Sequence, residues 1–268
     1  VYIGLADAHI AMNNPAEAEA NLRKAIDADV SNWKSFNAMG NFLFGEGRFL
    51  EAAEFYQMFV NRTDNDAKAL NNLGAAYYLA GEFRKAAEAW EDSIAIRPGR
   101  SVYSNTGTMY FFLGEFEKAA DRYAMAANMA PNDYIVWGNL ADAYYFGEQF
   151  RQVADVTYKR ALGLVEQQLN VNPEDAEAMS FVAYFNARLG NREKALEYDA
   201  LSREKAPDAM YVYYNSALVH AQFEQSDSTL GALERAVALD YQTDLLPLDP
   251  AFEFLREEER FKQLVQQQ

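Results

Sequence analysis

The twelve residues LAGEFRKAAEAW (79–90) return almost unchanged as FLGEFEKAADRY (112–123). A phrase repeated at a fixed period confines a chain to architectures in which one supersecondary unit stacks on copies of itself. Related phrases are NNPAEAEANL (13–22), GRFLEAAEFY (47–56), EQFRQVADVTY (148–158), GNREKALEYD (190–199) and a weaker QSDSTLGALER (225–235), most of them set at nearly the same interval. Within one unit, Leu70, Leu73, Gly74 and Tyr77 fall on a single helical face. Gly81-Glu82 break that helix, Ala86, Trp90 and Ser93 share a face of a second, and Pro98-Gly99 end it. Gly40, Gly74 and Gly107 stand inside first helices, where each costs about 1 kcal/mol relative to alanine. Close approach of paired helices accounts for them, with Ala52, Ala86 and Ala119 expected opposite and Tyr56, Trp90 and Tyr123 filling the space between neighbouring pairs.

The order of residues in these units resembles the tetratricopeptide repeat. The third copy places Leu70, Leu73, Gly74, Tyr77, Ala86, Trp90 and Pro98 at its signature slots. The fourth places Tyr103, Gly107, Tyr110, Ala119, Tyr123, Ala126 and Pro131, with Thr106 in place of leucine. The resemblance implies an all-α, right-handed α-solenoid of about seven helix pairs over residues 1–241, followed by a helical cap over 242–268. Pairs are expected near 1–32, 33–66, 67–99, 100–133, 134–175, 176–209 and 210–241. The fifth reaches Pro173 about eight residues late, which predicts a second helix longer by about two turns that protrudes from the array. In the closing stretch Asp249 is placed as an N-cap before Pro250, with Phe252, Leu255, Phe261 and Leu264 on an inner face. That stretch resembles the end of tetratricopeptide regions attached to bacterial serine/threonine kinases, adenylate cyclases and winged-helix regulators, and DPAFEFLREEERF is one residue longer before its final Arg-Phe.

Composition narrows the chemistry. The chain has 268 residues, 50% of them hydrophobic, enough for a large core. No apolar run reaches the ~18 residues of a membrane span, and the N-terminus lacks the pattern of a signal peptide. The chain opens at Val1 already in helical register, so it is expected to be a piece of a longer protein. A cytoplasmic setting is favoured, with the periplasm as the alternative if an upstream part carries an anchor. Without cysteine there is no disulfide, thiolate nucleophile or cysteine zinc site. A formal charge of −16, from 24 basic and 40 acidic side chains, disfavours nucleic acid and anionic membranes; solubility is the preferred account of it and a basic partner the other. His9 and His220 occupy the slot held by Tyr77 and Tyr110 elsewhere, so packing is their expected role. No spacing forces acidic residues into a buried pair, and no phosphate loop, dinucleotide fingerprint or nucleophile elbow is present. Neither catalysis nor a cofactor is expected.

Surface is what remains. The resemblance implies that first helices line a concave groove in which asparagines at the sixth position contact a peptide backbone. Those positions hold Asn72, Asn105, Asn139 and Asn215, whereas Ala38 and Phe181 interrupt the row and Asn37 and Asn41 lie near Ala38. An asparagine offers both a donor and an acceptor, so such a row meets an extended chain irrespective of its side chains. Asparagine is also frequent there in repeats generally. Phe44, Tyr78, Phe111 and Tyr145 stand at position twelve, where packing is the preferred reading and partner contact the other. A carboxylate clamp of the chaperone-binding kind is disfavoured, because Asn37, Asn41, Asn72, Ser101 and Asn105 lack its cations and Lys68 alone does not replace them. The candidate contact set is Asn41, Lys68, Asn72, Tyr78, Asn105, Phe111, Asn139 and Tyr145. The expected function is a non-catalytic scaffold or sensory module for an extended or basic protein segment, within a larger bacterial signalling protein. Self-association is the alternative.

Overall fold

The computed structural model describes residues 1–63, 66–147 and 151–266. Its regular elements are helices: α1 (Tyr2–Ala11), α2 (Pro15–Ala28), α3 (Trp33–Gly45), α4 (Phe49–Val60), α5 (Ala67–Leu79), α6 (Phe83–Ile96), α7 (Arg100–Phe112), α8 (Phe116–Met129), α9 (Tyr134–Phe146), α10 (Arg151–Val171), α11 (Ala176–Arg188), α12 (Arg192–Lys205), α13 (Met210–Ala221) and α14 (Ser226–Val237). Two 3₁₀ segments, Thr243–Leu248 and Pro250–Leu255, and α15 (Glu259–Val265) follow. The chain forms two compact units, Val1–Met109 and Tyr110–Gln268. The fifth phrase begins at 148–150, outside the described residues.

The repeated letters are instructions for starting and stopping helices. Four first helices start behind an Asx side chain: Asn32, Asp66, Asp133 and Asp175 each accept a backbone N–H of the first turn, as in Asp66 with Lys68 N at 2.8 Å and Ala69 N at 3.1 Å. The first helices α3, α5, α7 and α11 end in a left-handed residue, with Gly47, Gly81, Gly114 and Gly190 all at φ between 74° and 79°. At Gly81 the turn closes by Gly81 N donating to Tyr78 O and Glu82 N to Tyr77 O, after which α6 begins. The first and last pairs make the same turn with Asn13 (φ 56°) and Glu224 (φ 52°), conformations that side chains other than glycine adopt at a cost.

In the first unit the helical glycines make room for rings of their own pair. A Cβ on Gly40 would lie 2.7 Å from the Tyr56 ring, and one on Gly74 would lie 2.5 Å from Trp90 Nε1. This corrects the expectation that alanines sit opposite the glycines while the large residues fill the space between pairs. A ring laid over glycine buries more area than an alanine contact, and Trp90 also donates Nε1–H to Asn71 O at 3.2 Å. Ala52 and Ala86 are fully buried behind the rings, and Ser93 Oγ ties α6 back to Ala67 O at 3.0 Å.

In the second unit α10 takes up the extra residues of the fifth copy and runs for 21 residues, against 14 for α8 and α12. Its added turns are not a free projection: Val165 is fully buried and Glu166 pairs with Lys194 of α12 at 2.8 Å. The helical glycine of this copy is shifted to Gly138, whose hydrogen faces the Phe185 ring; a Cβ there would sit 2.7 Å from it. The C-terminal segment buries Phe252, Leu255, Phe261 and Leu264 as expected. Asp249 caps the turn at Pro250 by accepting Ala251 N–H at 2.9 Å and also accepts the Tyr214 hydroxyl at 2.5 Å, which fastens the segment to α13. The stretch after Asp249 is a 3₁₀ turn and then α15.

Candidate functional site

The sequence-derived candidates of the first unit divide between two recesses. Tyr78 and Asn105 come together in a cavity of about 260 Å³, shared by α5, α6 and α7 and completed by Ala75, Leu79, Trp90, Thr108 and Met109. Tyr78 leans on Trp90 with ring centroids 6.3 Å apart, so one face of the ring is packed while the residue stays half-exposed. Asn105 is exposed and its amide has no hydrogen bond among the described residues. Asn72 lies outside that cavity and donates from Nδ2 to Asn37 Oδ1 at 3.3 Å. Asn41 lines a separate groove and accepts the Tyr56 hydroxyl at 2.8 Å. Lys68 is exposed in the first turn of α5 and lines neither recess.

In the second unit the aromatic candidates are occupied by their own neighbours. Phe111 packs edge-on against Phe112, Phe116 and Phe146. Tyr145 contacts Phe146 and Tyr158 and carries the Arg188 guanidinium 4.5 Å from its ring centre. Asn139 is half-exposed with no side-chain hydrogen bond among the described residues. Asn215, the last member of the row, is buried and donates to Ser180 Oγ at 2.9 Å, so it joins α13 to α11.

Two buried polar clusters in this unit have no counterpart in the sequence reading, which found no buried acidic pair. Asp142 accepts hydrogen bonds from the hydroxyls of Tyr158 and Tyr184, and Arg188 stands over it with Nε 3.9 Å from the carboxylate. Arg188 also donates to Tyr184 Oη at 3.0 Å and Gln222 Oε1 at 2.7 Å. Burial pushes the Asp142 carboxyl up to about 6, with the guanidinium and the two hydroxyls opposing it, so the group is ionised at pH 7.

The second cluster overturns a purely packing role for His220. Its Nε2 is 3.3 Å from Asp199 Oδ2 and its Nδ1 is 2.8 Å from Gln225 Oε1, while Arg203 holds the same carboxylate at 2.8 Å. The hydrogen bond to Asp199 raises the imidazole above its ordinary value against the opposing burial and the Arg203 charge. The imidazolium therefore contributes stability in full below pH 6.5 and loses it as pH rises through the folded value. Chemical denaturation of wild type is expected to show this loss as pH rises above 6.5, and His220→Gln to flatten it; an unchanged slope in the variant would refute the assignment. Among the described residues no group of three His, Cys, Asp or Glu side chains is placed to hold a metal, and no helix is long and apolar enough to cross a membrane.

Models of the tetratricopeptide repeat match residues 3–67 and 67–100. Residues 3–100 are tetratricopeptide repeats. No curated protein matches it in sequence. Among solved structures, a tetratricopeptide repeat protein from Parabacteroides merdae superposes with a TM-score of 0.71 at 13% identity, covering 99% of this chain and 96% of that one. A MamA protein gives 0.58 at 23% identity over 64% of this chain and 93% of its own. PilF of Pseudomonas aeruginosa gives 0.57 at 19% identity over 84% and 96%. At these identities the likeness is one of fold. Tetratricopeptide arrays make this chain a protein-interaction scaffold, built of helix pairs whose second helices support the first.

Proposed function

We propose that the first unit captures an extended partner segment on the exposed face of its first helices, with Asn105 meeting the backbone and Tyr78 supplying apolar area, and that Asn139 offers a backbone contact of the same kind on the second unit. The observation that carries this reading is the cavity that joins Tyr78 to Asn105, where an amide without an internal partner borders an aromatic wall. Asn72 contributes through its remaining lone pairs, since its Nδ2 already reaches Asn37. A place in a larger bacterial signalling or regulatory protein fits such a module. Replacing Asn72, Asn105 and Asn139 together by alanine is expected to cut partner recovery on the immobilised chain at least fivefold. Undiminished recovery would sink the asparagine row as the main contact.

Self-association has one observation in its favour. Tyr2 and Leu5 on α1 are exposed at 41% and 44%, whereas Phe36 and Met39, in the same register of α3, are buried at 3% and 0%. A stable dimer in light scattering that survives the triple asparagine replacement would support this second reading.

A further inference from the structure

The groove between α1 and α3 holds none of the sequence-derived candidates except Asn41, yet it encloses about 550 Å³, within the range of about 300–1,000 Å³ common for binding sites. Its floor is apolar: Ile3 and Ile10 from α1 meet Leu22 of α2 and Phe42 of α3, the last two buried. Its polar side is rich in donors. Asn41 Oδ1 already accepts the Tyr56 hydroxyl and Asn37 Oδ1 accepts from Asn72, so each amide keeps its Nδ2 hydrogens and one oxygen lone pair for a visitor.

The charges in the groove point the same way. Asp7 and Glu46 line it, are exposed, and have no ion-pair partner among the described residues. Lys34 lines it too, but its ammonium sits 5.7 Å from the Trp33 ring centre and pairs with neither acid. By contrast Glu19 and Glu51, on α2 and α4, both hold Arg48 at 2.6 Å. The groove therefore offers N–H donors for carbonyl oxygens, two unmatched carboxylates for a cation, and an apolar floor for aliphatic side chains.

We propose that this groove takes an extended segment of a partner protein in which a lysine or arginine is flanked by aliphatic residues. Backbone carbonyls of the segment accept from Asn37 and Asn41, the aliphatic side chains cover Ile3, Ile10, Leu22 and Phe42, and the cation is held by Asp7 and Glu46. The site is separate from the Tyr78–Asn105 cavity and stands even if that cavity binds nothing.

The test is retention of hexapeptide pools on the full chain, each pool randomised in aliphatic residues around one fixed position of lysine, arginine, norleucine or glutamate. Lysine and arginine pools are expected to be retained at least tenfold over the glutamate pool, with a preference that weakens as salt screens it. The double variant Asp7→Asn, Glu46→Gln should reduce that preference below twofold while its helical circular dichroism is unchanged. Asn105→Ala should leave it intact, which separates this site from the cavity. Equal retention of all pools, no retention of any, or a preference that survives the double variant or vanishes in Asn105→Ala would each overturn the proposal.

Discussion

Arg188→Met is expected to cost the second unit about 3–5 kcal/mol, the penalty for stranding a buried charge. Arg188 is 8% exposed, and its removal leaves the Asp142 carboxylate held by two tyrosine hydroxyls and without an ion-pair partner among the described residues. A solvent-exposed pair would contribute only about 0–1 kcal/mol, so the magnitude distinguishes the two situations. Replacing both partners, Asp142→Leu with Arg188→Met, is expected to recover more than half of the loss, because no charge is then buried alone. Hydrogen exchange across α9, α10 and α11 reads the effect locally, which matters in a repeat array where unfolding need not be two-state. A cost below about 1 kcal/mol for the single variant would mean the cluster is hydrated in solution.

Gly74→Ala tests the packing rule that the repeats obey. On helix propensity alone the change gains about 1 kcal/mol. The new methyl would stand 2.5 Å from Trp90 Nε1, and overpacking of a filled interior costs about 1–3 kcal/mol. The ring is fixed by its bond to Asn71 O and is 3% exposed, so it has little room to retreat. Net destabilisation of the first unit by up to about 2 kcal/mol is expected in urea melts, with no stabilisation. Gly163→Ala is the control, since nothing lies within 4 Å of its Cβ direction, and there the propensity gain of about 1 kcal/mol should appear undiminished. A stabilised Gly74→Ala protein would show that the helix pair opens to accept the methyl.

The local grammar of the fold was legible because each letter acts over a few residues. The Gly-Glu of the repeated phrase is a left-handed turn and the residue that precedes a second helix, and Asp249 is the cap it was read to be. What stayed hidden depends on residues far apart in the chain. Asp142 and Tyr184 are 42 residues apart, and no helical period links an aspartate of α9 to a tyrosine and an arginine of α11. Gly40 and Gly74 were recognised as close approaches, but which side chain approaches depends on ring orientation, and at both the ring proved to be that of the same pair.

The candidate site was partly legible for a similar reason. Counting positions picked out Asn105 and Tyr78, which share a cavity, and could not tell them from Asn215, which is buried and bonded to Ser180, or from Asn41, whose oxygen holds Tyr56. The α1–α3 groove was missed because the first copy departs from the signature. Ile3, Asp7 and Ile10 of α1 take the positions that Asn37, Asn41 and Phe44 hold in α3, so no asparagine or aromatic marks that face.

Photo-crosslinking separates the two faces of the first unit most directly. A benzophenone side chain is placed either at Ala75, which lines the Tyr78–Asn105 cavity, or at Glu88, exposed on α6, and the protein is irradiated in host lysate. Partner capture on the first helices predicts discrete adducts from Ala75, lost when Asn105 is replaced by alanine, and none from Glu88. Adducts from Glu88 with none from Ala75 would contradict it.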